Sequence, residues 1–143
     1  MIPENETNEQ IGLVKQYFIK GDAGHPTILE MFTDDVELRF PKFGTRVGKE
    51  AVGAFVQGLL GAVHSLTHYP DQYTYVASGD IVVAEGWESG VLKDGTNWPA
   101  QRRSDGTFCN VFHFRGNLIS QLHVYVDPDF GRNDRGRFYW GKI

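Results

Sequence analysis

Cysteine is nearly missing from this 143-residue chain. Cys109 stands alone, which excludes an intramolecular disulfide and any thiolate metal cluster. No apolar run approaches the roughly 20 residues of a membrane-spanning helix. The first ten residues, MIPENETNEQ, have neither the basic segment nor the apolar core of a secretory signal, so a soluble, cytoplasmic protein is expected, without a membrane partner. Basic charge is short as well. The 14 Lys and Arg fall below the 18 Asp and Glu, and the net charge of −4 argues against a nucleic-acid partner. Only the C-terminus gathers cations, at Arg132, Arg135, Arg137 and Lys142. Phosphate-loop glycines, a nucleophile elbow and metal-ligand spacing are all lacking, so neither cofactor nor metal is expected. Without repeats, low-complexity tracts or a linker, residues 1–143 read as one domain, with 128–143 as a tail over the cavity or an interface.

Aromatic residues, by contrast, are plentiful at 13%, and they gather in segments of period two. Along the chain, Thr7-Asn8-Glu9-Gln10 has the form of a capping box opening a helix with Ile11, Val14 and Phe18 on one stripe and Leu13 and Tyr17 beside it. Gly21 to Gly24 breaks it. Pro26 suits the first turn of a short second helix through Ile28, Leu29, Met31 and Phe32. Val36, Leu38 and Phe40 then alternate with Glu37 and Arg39 in a strand stopped by Pro41. PKFGTRVG is a loop or small hairpin, and from Lys49 a third helix runs through Ala51, Val52, Phe55, Val56, Leu59 and Leu60. After Val63 the pattern is sheet: Leu66 to Ala77, broken near Pro70-Asp71, then Ile81 to Leu92. Asn97 to Thr107 is a long loop carrying Trp98, Arg102 and Arg103, and Phe138-Tyr139-Trp140 in the tail are aromatics expected to dock.

The longest patterned stretch is FCNVFHFRGNLISQLHVYVD, residues 108–127, two alternating runs about the turn signal Arg115-Gly116-Asn117. In the first run Phe108, Asn110, Phe112 and Phe114 share a face. In the second, Gln121, His123, Tyr125 and Asp127 share one. Placed together, these two sets would form one wall of a small-molecule pocket, apolar with a few polar groups.

Helices first and a strand meander after make an α+β protein. This order, with VKQYFIKGD in the first helix, FTDDVELRFP before the loop, VGKEAVGAFVQGLL in the third helix, the strand ASGDIVVAEGWESG and the hairpin above, resembles the SnoaL-like branch of the nuclear transport factor 2-like superfamily over Gln10 to Phe130. The resemblance implies a cystatin-like cone. Three N-terminal helices pack on a strongly curved antiparallel sheet that encloses an apolar cavity, with homodimers formed through the outer sheet face. It also implies a range of activities: polyketide cyclases, ketosteroid isomerases, epoxide hydrolases, dehydratases and non-catalytic domains.

Matched to those activities, the residues fall out unevenly. The isomerase base position holds Phe40, while Tyr17 and Asn110 stand near the two oxyanion-donor positions. The cyclase acid–base position, late in the last strand, matches Asp127. For epoxide hydrolases one Asp matches Asp127 and the other falls near Glu88, but the intervening Arg falls near Gly86, so Arg102 or Arg103 would have to reach in. Leu66-Thr67-His68 partly echoes the dehydratase histidine. From the residues themselves, Asp127 among Phe112, Tyr125 and Phe40 would be partly desolvated, with its pKa raised toward that of a useful base. His123 lies four residues from Asp127, roughly 13 Å along a strand, too far for a direct hydrogen bond. His68 could complete an acid–base pair with Asp127, and Glu88 lines the cavity with Ala84 and Gly86. Trp98 is a lid aromatic, His25 and His64 are surface residues, and His113 faces the other side of the sheet.

The expected function is cofactor-free general acid–base chemistry on a hydrophobic, oxygenated small molecule, by an isomerase, cyclase or dehydratase of polyketide, terpenoid or steroid type. The expected catalytic residues are Asp127, His68, Glu88 and Tyr17. Asn110, His123, Tyr125, Phe40, Phe112 and Trp98 are expected to bind substrate. A non-catalytic small-molecule-binding or association domain and an epoxide hydrolase are the alternatives.

Overall fold

A computed structural model of the chain describes residues 4–100 and 103–134, with side chains from residue 9 onward. The first helix, α1 (Glu4–Ala23), begins before the capping-box motif, so Thr7 lies within the helix rather than at its N-cap. Val14, Tyr17 and Phe18 are buried on the stripe that the 3.6-residue period anticipates. Pro26–Met31 is a 3-10 helix, not an α-helix, and it is capped by the His25 ring, which accepts from the Thr27 amide at 3.2 Å. Phe32 belongs instead to β1 (Phe32–Phe40), whose Val36, Leu38 and Phe40 point inward. A tight hairpin leads to β2 (Gly44–Val47), and α2 (Lys49–Ala62) follows.

The rest is sheet. β3 (Val63–His68) and β4 (Thr74–Ser78) are separate strands divided by a 3-10 turn at Pro70–Gln72, and both pair with β5 (Ile81–Leu92). β6 (Asn97–Trp98), β7 (Thr107–Arg115) and β8 (Leu118–Val126) complete it. Strands run in the order β2-β1-β8-β7-β5-β3. The sheet is mixed rather than wholly antiparallel, because β1 joins β8 in parallel. Bulges in the β1–β8, β7–β8 and β3–β5 pairings add twist and bend the sheet around the helices. Residues 135–143, with the tail aromatics, lie outside the described residues, as does Arg102.

Register decides which hairpin residues share a face. Phe112 lies opposite Leu122, Asn110 opposite Val124 and Phe108 opposite Val126. The inner face is therefore Phe108, Asn110, Phe112 and Phe114 with Leu122 and Val124, while His123 and Tyr125 stand on the outer face beside Cys109 and Val111. This corrects the pocket wall expected from the sequence. A buried aliphatic set opposite buried aromatics keeps the apolar surface of both strands out of water, whereas the reverse pairing would have buried an amide and an imidazole there.

The interior is filled by rings. Phe18 packs edge-on to Tyr17, Tyr73 and Phe112 at centroid separations of 5.2, 5.3 and 6.1 Å. Phe108 meets Tyr73 at 5.2 Å. Burying each such ring contributes about 2–3 kcal/mol. Gly86 allows this packing, because a Cβ there would come within 2.1 Å of the Tyr73 ring.

Candidate functional site

Three ionisable side chains from distant parts of the sequence meet where α1, β3 and β5 come together. Asp22 comes from the last turn of α1, His68 ends β3, and Glu88 is its cross-strand partner on β5. His68 Nδ1 lies 2.5 Å from Asp22 Oδ1, and the His68 backbone N–H donates to Asp22 Oδ2 at 2.6 Å. On the ring's other side, Nε2 lies 2.9 Å from Glu88 Oε2. The imidazole is packed against Phe18 at 4.9 Å and Phe108 at 5.5 Å. Side-chain exposure falls from 21% at Asp22 through 13% at His68 to 7% at Glu88, so the row runs inward from the surface.

The electrostatics follow from this arrangement. Burial alone would push the His68 pKa down, but the hydrogen bonds and charges of Asp22 and Glu88 outweigh it and raise it to about 9. Protonated, the His68 ring donates from both nitrogens, to Asp22 and to Glu88. The Tyr17 phenol is pushed well above its usual range, first by burial and then by the charges of Asp22 and Glu88, so it remains a neutral O–H donor. Tyr17, Asp22 and His68 share a small void with Gly21 of α1, with Phe55, Val56, Leu59 and Leu60 of α2, and with Leu66 of β3. Its volume is about 30 Å³, room for about one water molecule.

The residues expected from sequence divide sharply. His68, Glu88 and Tyr17 lie together. Asn110 is buried on the inner face with its Oδ1 lacking a hydrogen-bond partner, but Phe40 and Phe112 are core residues rather than walls of an open cavity. Trp98 is no lid: it is buried, stacked on Phe130 at 4.2 Å, in a second apolar cluster with Val63 and Leu66. His123 and Tyr125 belong to the outer face, where His123 Nε2 is 2.8 Å from Glu37 Oε2.

Asp127 is exposed beyond the end of β8, and its Oδ1 accepts from the Asp129 amide at 2.9 Å. It is neither desolvated by Phe112, Tyr125 and Phe40 nor the carboxylate paired with His68. That partner is Asp22, which sequence reasoning passed over. A carboxylate between Gly21 and Gly24 reads as helix-breaking punctuation, and its partner is 46 residues away. Arg103 turns its guanidinium to the Asn97 carbonyl and side-chain oxygen. Among the described residues, no arginine bridges Glu88 to a second carboxylate, and no group of three or more His, Cys, Asp or Glu side chains is arranged to hold a metal ion.

The α+β arrangement of helices against a curved mixed sheet is the fold of the nuclear transport factor 2-like class. Within that class the chain belongs to the SnoaL-like domain family, whose sequence profile matches residues 16–122. A search of curated proteins returned no sequence match. Several solved structures share the fold. A protein of Xanthomonas campestris pv. campestris, proposed to be a polyketide cyclase, superposes with a TM-score of 0.74 at 18% identity, over 85% of this chain and 93% of that one. An NTF2-like protein of Anabaena variabilis gives 0.71 at 20% identity, over 92% and 97%. A protein of Catenulispora acidiphila with a ketosteroid isomerase-like fold, solved with trimethylamine, gives 0.67 at 16% identity, over 83% and 88%.

Proposed function

We propose that the protein is a cofactor-free general acid–base enzyme acting on a hydrophobic, oxygenated small molecule, with Asp22, His68 and Tyr17 at its reactive end. The observation carrying this reading is the buried carboxylate–imidazolium–carboxylate row whose most exposed member, Asp22, opens on an apolar void. Buried ionisable groups in mutual contact at a pocket are where proton-transfer chemistry is found. In the proposed reaction a C–H bond beside a carbonyl breaks. Its proton passes to Asp22 and its electron pair moves onto the carbonyl oxygen, toward which Tyr17 donates its O–H. The proton then returns from Asp22 to the γ-carbon, shifting a double bond, or to a β-hydroxyl group, which departs as water. With a carboxylate at the void's wall, an uncharged substrate is favoured over an anionic one.

The space in front of Asp22 is a void of only about 30 Å³. A substrate reaches Asp22 by displacing Phe55, Val56, Leu59 and Leu60, which all keep part of their surface exposed on α2. The outer sheet face, with a groove of about 640 Å³ beside Trp87, Cys109 and Tyr125, is the proposed contact between two copies. The proposed location remains the cytoplasm; no helix among the described residues is long and apolar enough to cross a membrane.

Formation of a conjugated enone from hydrophobic β-hydroxy ketones and β,γ-unsaturated ketones, followed by ultraviolet absorbance, tests the reading. Asp22→Asn is expected to cut turnover by about 10²-fold or more with the fold intact by circular dichroism. Equal turnover in wild type and Asp22→Asn would sink it. A non-catalytic binding or association domain is the second reading, favoured by the ring-filled interior. It predicts no turnover across the panel.

A further inference from the structure

The row Asp22–His68–Glu88 meets the void at Asp22 and His68, while Glu88 lies at its inner end. We propose that Glu88 is a positioning residue that holds His68 as a doubly protonated ring and, through it, presents Asp22 to the substrate; this rests on the reading of Asp22 as the proton acceptor.

Three features of the geometry carry the proposal. First, both ring nitrogens face carboxylate oxygens, at 2.5 and 2.9 Å. A neutral imidazole has one bare nitrogen, which would aim its lone pair at those of a carboxylate; with both Asp22 and Glu88 ionised, only the cation makes both contacts attractive. Second, Asp22 spends both of its oxygens on His68, one on the ring and one on the backbone N–H. Its direction toward the void is therefore set by where the ring sits. Third, Glu88 is itself held firmly. It is paired in register with His68, and its N–H donates to the Gly106 carbonyl at 2.9 Å. Gly106 has φ of +77°, and a Cβ there would come within 2.2 Å of the Glu88 carbonyl oxygen, so that close approach requires glycine.

Among the described residues, the groups around His68 supply no competing positive charge. From α1, Asp22 and Tyr17 face the histidine; from β5, Glu88; and Tyr73 stands nearby with its O–H donated to the Trp87 carbonyl at 2.7 Å. α2 and β7 contribute apolar side chains, among them Phe55, Leu59 and Phe108. The elevated pKa of His68 agrees with this picture: burial opposes the cation and the two carboxylates together prevail. Removing one of the two charges should tip that balance.

The experiment is a pH titration of the His68 ring resonances in isotope-labelled protein, wild type against Glu88→Gln, which keeps an acceptor for Nε2 without the charge. The expected result is a midpoint lower by about one pH unit or more in the variant. In the enone assay, kcat of the variant should fall off at lower pH than in wild type, with KM little changed. A midpoint equal in the two proteins overturns the proposal, since Asp22 alone would then hold the cation. Should Glu88→Gln fail to fold, the wild-type ¹H–¹⁵N spectrum of the ring at neutral pH still decides. An Nε2 proton shifted downfield by a hydrogen bond to a carboxylate supports the role, and an unprotonated Nε2 or an Nε2 proton without that shift overturns it. Because neither spectrum requires turnover, an unaffected Asp22→Asn would remove the catalytic reading while leaving this readout intact.

Discussion

His68 and His123 are buried to the same degree, at 13% and 11% side-chain exposure, and each has a carboxylate at hydrogen-bond distance. They nevertheless sit in different physical settings. His68 lies on the inner side with Asp22 and Glu88 on its two nitrogens, beside aromatic rings and a void. His123 lies on the outer sheet face with Glu37 on one nitrogen and the His113 ring 5.9 Å away. There the His113 pKa is lowered, by burial first and then by His123, with Glu37 opposing only in part. One histidine is surrounded by compensating charge, while the other shares a single carboxylate with a second histidine. Burial and a hydrogen bond to a carboxylate therefore do not by themselves mark a site. The count of partners and the space in front of them do.

The comparison breaks most readily by substitution. His68→Gln leaves two buried carboxylates without their cation and should destabilise the fold by about 3–5 kcal/mol. His123→Gln, with a partly exposed partner, should cost about 1 kcal/mol or less. Denaturant unfolding of the two variants checks this, and equal losses would erase the distinction. A somewhat smaller effect is expected from pH. The folded-state pKa of His68 is raised, so its contribution is fully present below the unfolded value near 6.5 and is lost as pH rises through about 9. The loss should be on the order of 3 kcal/mol, read from unfolding curves between pH 6 and 10, and His68→Gln should flatten that dependence. The smallest effect belongs to Asp127→Asn. An exposed loop carboxylate that accepts one local amide bond should change stability by less than about 0.5 kcal/mol and leave enone formation unchanged.

The sequence made most of the fold readable. Period-3.6 and period-2 stretches placed α1, α2, β5 and the β7–β8 hairpin near their observed positions, because burial of one face is written directly into those patterns. Within β7 the inner face was also readable. Across the hairpin it was not, since pairing Phe112 with Leu122 rather than with Gln121 or His123 depends on register, and a bulge beyond His113 shifts that register. The parallel joining of β1 to β8 is a matter of topology that local pattern does not encode. At the site, helical stripe and alternation put Tyr17 and Glu88 on inner faces, and the family resemblance singled out both of them and His68. Asp22 could be found from neither, because its role arises only when a helix terminus meets a strand far along the chain. Asp127 drew attention by standing late in the last strand, but Pro128 and Asp129 turn it into a loop cap.

One consequence follows from where Asp22 sits. A carboxylate in the last turn of a helix stands near the negative end of the backbone dipole, where Lys20 is at home and Asp22 is not. Its anchor is His68, arriving with β3 from 46 residues away. The end of α1 itself is closed locally, with Gly24 at φ of +60°, its N–H donating to the Gly21 carbonyl at 3.1 Å and the His25 N–H donating to the Lys20 carbonyl at 2.9 Å, so tertiary contact holds the Asp22 side chain rather than the turn. The backbone that carries the base is thus fixed by bonds of its own, and His68 orients a carboxylate already in place.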